Sequence, residues 1–145
     1  MARRPLAAAL VPLAVVVVAC SGPAPPDLFL VQRSGSIPGA RLTLRITDDG
    51  GAYCNGGKRR EITSAQLIEA RALRADLDGR KGDDVGLAER HLSLPPGRVS
   101  TLSYRVRSEG GAVVFSDTSP RQPQAFYRLA KLTRDIARGP CGLPR

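Results

Sequence analysis

The residues of this chain that could do chemistry are three cysteines and a single histidine. Structural zinc sites normally use four ligands in closely spaced pairs, and neither a Cys-x-x-Cys nor a His-x-x-x-His spacing occurs. His91 has no Ser, Cys or acid near it in a recognisable nucleophile–base motif. The sequence therefore predicts no catalytic residue, no metal and no cofactor, and favours a protein that is not an enzyme.

The N-terminal segment has the composition of a secretory signal. Arg3 and Arg4 form a short positive region, and the 14 residues from Leu6 to Ala19 are uncharged and almost wholly apolar. A helix that spans the ~30 Å hydrocarbon core of a membrane needs about 20 residues, so this core is too short to span. We predict a signal peptide at residues 1–19, a tether at 20–27 and one domain at 28–145.

The first cysteine follows this apolar core directly. Val17-Val18-Ala19-Cys20 resembles the lipobox of bacterial lipoproteins. The resemblance implies that Cys20 carries diacylglycerol, becomes the first mature residue and holds the chain to the cell membrane, facing the outside of the cytoplasm. An ordinary secretion signal cut nearby and an uncleaved anchor are the alternatives. Ser21 to Pro26 is rich in Pro and Gly, which is typical of a linker.

Lipidation of Cys20 would leave Cys54 and Cys141 as one pair in an oxidising compartment. We therefore predict a disulfide between them, which would pin the C-terminal helix to the sheet. Two free thiols, or a metal pair with His91, remain as alternatives.

The chain is basic, with a formal charge of +9. Removal of residues 1–19 would leave 20 basic and 13 acidic side chains, a charge of +7. Export argues against nucleic acid as the partner. Anionic lipid headgroups, wall polymers or an acidic protein are the partners expected instead.

Strict alternation of apolar and polar residues predicts strands. It is clearest over Ala40–Thr47 and Leu102–Arg107. Leu28–Gln32 reads as an earlier strand, and the glycine-rich turns Asp48–Gly51 and Ser108–Gly111 predict hairpins. The hairpins make the expected sheet antiparallel.

Two segments have helical patterns. Thr63 and Gln66 form a capping box before apolar residues at helical spacing, with Gly79 as the C-terminal cap. The second helix is predicted from about Pro123 to Arg138. Residues 79–98 could hold a short helical turn or an added strand. The fold class is α+β: an antiparallel sheet of about four to five strands, in the order ββ(β)-α-ββ-α, with two helices on one face.

With this layout, the segment Arg33-Ser34-Gly35-Ser36-Ile37-Pro38-Gly39 between two strands resembles the start of emfourin-type proteins, which are small inhibitors of thermolysin-like metallopeptidases. Leu102–Val106 and Val113–Asp117 also match, as do both helices. The usual Ser-Gly-Gly is Ser34-Gly35-Ser36 here. The resemblance implies a partner-binding loop over Arg33–Gly39 and an exported protein, such as a metallopeptidase, as partner.

A second candidate surface is the basic side of the last helix. On a helical wheel its apolar residues share one arc, and four basic residues lie opposite: Arg128, Lys131, Arg134 and Arg138. We expect them either to face anionic headgroups beside the lipid anchor or simply to be solvated. The corresponding functions are a tethered binding module, in particular a peptidase inhibitor, and an accessory lipoprotein of the cell envelope without an inhibitory target. A plain connector is the alternative for the loop.

Overall fold

The structure is a computed structural model that describes residue 24, residues 26–80 and residues 85–144. Cys20 and the predicted signal peptide lie outside the described residues. One antiparallel sheet carries two helices on one face. Its strands are β1 (Asp27–Gly35), β2 (Leu42–Thr47), β3 (Gly51–Cys54), β4 (Arg59–Glu61), β5 (Leu102–Ser108) and β6 (Gly111–Ser116), and its helices are α1 (Ser64–Asp78) and α2 (Gln124–Arg138).

The predicted α+β class is confirmed, with six strands in the described residues where four to five were expected. Their order is β4-β3-β2-β1-β5-β6. The additional strand β4 has three exposed residues and no alternation that could reveal it. β1 also runs further than predicted, so that Arg33, Ser34 and Gly35 are its last residues rather than loop.

Every neighbouring pair of these strands is antiparallel. The two ends of the sheet are distinguished by the residues that pair there. At one end Asp27 pairs with Thr47; we call it the N-terminal end. At the other end Gly35 pairs with Leu102; we call it the loop end. Successive side chains of a strand alternate between the two faces, so the residue pattern decides which face is buried.

The hydrophobic core lies between the sheet and the helices. Val31, Leu44 and Val106 are fully buried on the helix-facing side. Their neighbours along the strands, such as Gln32 and Arg105, are exposed on the open side. Three aromatic rings stack within the core: Tyr104 on Phe115 at 5.0 Å and Phe115 on Phe126 at 4.3 Å between centroids.

Both helices have the buried faces that their spacing predicts. In α1 the capping box is present: the Gln66 amide donates to Thr63 Oγ1, and the Thr63 amide donates to Gln66 Oε1. α1 buries Ala70, Leu73 and Leu77. The predicted apolar arc of α2 is buried as well: Phe126, Leu129, Leu132, Thr133 and Ile136.

The segment before β5 covers the outer edge of β6. The Leu94 amide donates to the Val114 carbonyl, and the Val114 amide donates to the Leu92 carbonyl. Ser93 thereby forms an isolated parallel bridge with Val114. An edge strand with unpaired backbone groups invites association, and this segment satisfies them at Val114.

The predicted disulfide is confirmed. Cys54 at the end of β3 is joined to Cys141, three residues after α2, with 5.9 Å between the Cα atoms. The bond spans a sequence separation of 87 residues. It therefore fixes the C-terminal segment at the loop end of the sheet.

Loss of the disulfide should destabilise the domain. In a mature chain that begins at residue 20 and carries Cys20→Ser, adding Cys54→Ser and Cys141→Ser should lower the free energy of unfolding by about 2–5 kcal/mol, because the unfolded chain gains freedom. Urea unfolding measures this change, and the Cys20→Ser chain alone is the control. Equal urea midpoints for the two chains would contradict the prediction.

Candidate functional site

The candidate loop projects from the loop end of the sheet. After β1 ends at Gly35, the chain turns, and the Ala40 amide donates to the Ile37 carbonyl at 3.1 Å. Ile37 stands at this turn with 40% of its surface exposed. A branched apolar side chain is thus presented to solvent by a closed turn.

Arg33 holds this loop from inside. Its side chain lies on the buried face of β1, and only 7% of the residue is exposed. The guanidinium donates through Nε to the Ala40 carbonyl and through Nη2 to the Gly39 carbonyl, both at 2.9 Å. Arg33, predicted as part of the contact loop, therefore supports the loop from inside and exposes only a small part of its surface.

Two glycines allow the loop to pack closely. A Cβ atom at Gly35 would lie 2.0 Å from the Thr101 carbonyl oxygen, so no larger residue fits there. Gly39 has a φ of +73°, which glycine adopts at little cost, and it packs against Pro144. The Ser36 amide also donates to the Thr101 carbonyl at 3.1 Å. The loop is consequently fixed against the segment that leads into β5.

Asp117 in turn fixes that segment. Its carboxylate accepts hydrogen bonds from the hydroxyls of Ser100 and Thr101 and from the amides of Thr101 and Leu102. Burial alone would raise the pKa of Asp117, but these hydrogen bonds outweigh it and lower the pKa below 3.8. Asp117 thus holds Thr101 in place, and the Thr101 carbonyl in turn accepts the hydrogen bond from the Ser36 amide.

A small crevice lies beside the loop. It has a volume of about 50 Å³. Its walls come from the loop, the start of β5 and the C-terminal part of α2: Arg33, Ile37, Pro38, Gly39, Ala40, Leu102, Arg134, Ala137, Arg138 and Pro144. The structure therefore brings the candidate loop together with two of the four basic residues predicted on the last helix.

The other two basic residues have carboxylate partners. Arg128 donates to both carboxylate oxygens of Glu69, at 2.7 and 3.0 Å, and to Asp76 at 2.9 Å. The hydrogen bond from Arg128 lowers the pKa of Glu69. Lys131 pairs with Asp135 at 2.7 Å. Arg128 thus links α2 to α1, whereas Arg134 and Arg138 are exposed at the loop end.

A larger cleft, of about 590 Å³, lies at the N-terminal end between α1 and two turns. Two arginines and four acidic residues line it, and both arginines are paired. Arg71 pairs with Asp48 at 2.6 Å, and Arg74 pairs with Asp78 and with Glu109. This cleft therefore offers a ligand less uncompensated charge than the crevice beside Ile37.

The described residues contain no cluster of three or more His, Cys, Asp or Glu side chains that could hold a metal ion. His91 is exposed, with a φ of +49°. No helix in the described part of the chain is long and apolar enough to cross a membrane.

No family model, curated protein or solved structure matches the chain.

Asp117 should make the stability of the loop end depend on pH. A carboxyl group whose pKa is lowered by folding stabilises the fold above its unfolded value, near 3.8, and this contribution is lost as the pH falls through the folded value. Asp117→Asn should therefore lower the free energy of unfolding by about 1–3 kcal/mol at neutral pH, and by less in acid. Urea unfolding at a series of pH values tests this. A deficit that is independent of pH would contradict it.

Proposed function

We propose that this chain is a membrane-anchored lipoprotein whose domain presents a non-catalytic binding surface, and that a thermolysin-like metallopeptidase is its first candidate target. The observation that carries the proposal is the exposed Ile37 on a loop fixed by Arg33 and by the Thr101 carbonyl. The resemblance of Arg33–Gly39 to the emfourin loop supports the choice of target.

A fixed loop is an advantage in binding. A flexible loop loses conformational freedom when it docks, and that loss weakens the complex. Here the backbone around Ile37 is already held by hydrogen bonds from Arg33 and Ser36, and Pro38 restricts it further. The loop can thus dock with little further ordering, as expected of a protein inhibitor.

The position of the anchor fits a surface that faces outward. Cys20 is six residues before Pro26, so a lipid at Cys20 would lie within roughly 20 Å of the N-terminal end. Ile37 lies beyond the opposite end of β1, whose nine residues span about 26 Å. In this arrangement the anchor and the loop are at opposite ends of the domain, and the loop can reach an exported protein.

The alternative is an accessory lipoprotein of the cell envelope with no inhibitory target. It is favoured by Ser36, which stands where the inhibitors usually have a second glycine. In that case the loop would serve another partner.

Inhibition by the mature chain carrying Cys20→Ser can be titrated directly against a panel of thermolysin-like peptidases. Ile37→Asp should weaken inhibition by roughly tenfold or more, because it places a charge in an apolar contact. Ile68→Asp is the matched control: Ile68 is 66% exposed on α1, and its replacement should leave inhibition unchanged.

Two outcomes would remove the peptidase from the proposal. One is the absence of inhibition across the panel. The other is an equal loss of inhibition in the Ile37→Asp and Ile68→Asp chains, which would mean that Ile37 makes no specific contact with the peptidase.

The anchor has its own test. Cys20→Ser should abolish incorporation of labelled fatty acid into the expressed protein, because the thiol is the attachment point. The Cys54–Cys141 disulfide should remain, as shown by thiol counting under denaturing conditions. Undiminished labelling of the Cys20→Ser chain would contradict lipidation at this residue.

A further inference from the structure

Positive charge without a carboxylate partner collects at the loop end. Six exposed basic residues lie there or in the loops that meet there, and none of them makes an ion pair within the described residues. They are Arg41, Lys58, Arg98, Arg121, Arg134 and Arg138. The acidic Asp117 at this end is already occupied by its hydrogen bonds from Ser100, Thr101 and Leu102.

The N-terminal end carries charges of both signs. Acidic residues lie at the first residue of β1 and in the turns there, including Asp27, Asp48 and Glu109. The arginines that reach this end are largely paired: Arg45 with Asp27, and Arg71 with Asp48. Exposed arginines without an ion pair in the described residues also lie away from the loop end, among them Arg60, Arg105 and Arg107, whereas the acidic residues named here are all paired.

The crevice beside Ile37 concentrates this positive charge. Three arginines line it, Arg33, Arg134 and Arg138, and its lining includes no acidic residue. Two of the five N–H groups of Arg33 donate to backbone carbonyls. Carbonyls carry no net charge, so these hydrogen bonds do not neutralise the positive charge of Arg33. A volume of about 50 Å³ is several times the ~10–15 Å³ that a cavity needs to hold one water molecule, which leaves room for a small polar group.

We propose that this crevice receives a carboxylate from the partner, so that the loop end binds an acidic protein surface with an apolar contact for Ile37. This proposal depends on the proposed binding function in one respect: it takes the partner to be a protein. Arginine is suited to this role because its planar group can hold a carboxylate through two hydrogen bonds.

An anionic membrane fits the same charges less well. The chain continues towards Cys20 from the N-terminal end, so the loop end lies on the far side of the domain from the proposed lipid anchor. Moreover, the exposed Ile37 lines the same crevice as Arg134 and Arg138, and protein interfaces combine apolar contacts with polar contacts at their rim in this way.

A glutamate peptide provides a test that does not depend on any peptidase. We would add blocked hexaglutamate to the isotopically labelled mature chain carrying Cys20→Ser and follow the amide signals by NMR, with hexaglutamine as the uncharged control. Signals from residues 36–40 and 134–138 should shift with hexaglutamate alone. Arg134→Glu with Arg138→Glu should raise the dissociation constant by roughly tenfold.

The matched control is Arg105→Glu with Arg107→Glu. These two arginines are exposed on the open face of the sheet, and the double substitution changes the net charge by the same amount. It should raise the dissociation constant much less. Equal effects of the two double variants, or shifts spread over the open face, would overturn the proposal.

Vesicles of phosphatidylglycerol and phosphatidylcholine form the second arm. Vesicle binding that needs Arg134 and Arg138, together with no peptide shifts at the loop end, would overturn the protein partner in favour of a membrane. The peptide result is separate from the peptidase result: failure to inhibit removes the enzyme target, whereas absent peptide shifts remove the acidic partner.

Discussion

Arg33 is the one charged side chain that is buried among the described residues, and the shape of the loop end depends on it. A buried charge is unfavourable unless its hydrogen-bonding groups are satisfied. Here the Gly39 and Ala40 carbonyls accept from the guanidinium. The loop must therefore fold back over the end of β1, and this fold places Ile37 at the surface.

The neighbours of Arg33 reinforce this arrangement. Tyr104 lies opposite Arg33 on β5. Burial raises the pKa of the Tyr104 hydroxyl, against the opposing influence of the positive charges of Arg33 and Arg134. Because Tyr104 also stacks on Phe115, the position of the loop is coupled to the aromatic core. A loop built in this way is fixed by the same contacts that stabilise the domain.

The fold was largely predictable because its signals are local. The alternation over Leu42–Thr47 sets the buried face of a strand, and Thr63 with Gln66 sets the start of α1. The pairing of Cys54 with Cys141, which the structure contains, is predicted by the number of cysteines that remain if Cys20 carries lipid. In each case the structural feature was predictable from neighbouring residues or from the number of cysteines.

The details of the site were less predictable because they depend on how the elements pack. The buried position of Arg33 could not be anticipated, since arginine in a glycine-rich segment usually faces water. Nor could the wheel of α2 show that Arg128 would meet Glu69 and Asp76, which depends on how α2 lies against α1. The role of Asp117 was predictable, because a carboxylate directly after β6 lies near the hydroxyls of Ser100 and Thr101 before the paired strand β5.

The most direct test of this account is amide hydrogen exchange of Ser36 and Ala40, whose N–H groups bond to the Thr101 and Ile37 carbonyls. We predict that both amides are protected in the mature chain, and that Arg33→Met accelerates their exchange while Arg41→Met, at an exposed site, does not. Exchange of both amides at the rate of an unstructured peptide in the unmodified chain would contradict a loop fixed before binding.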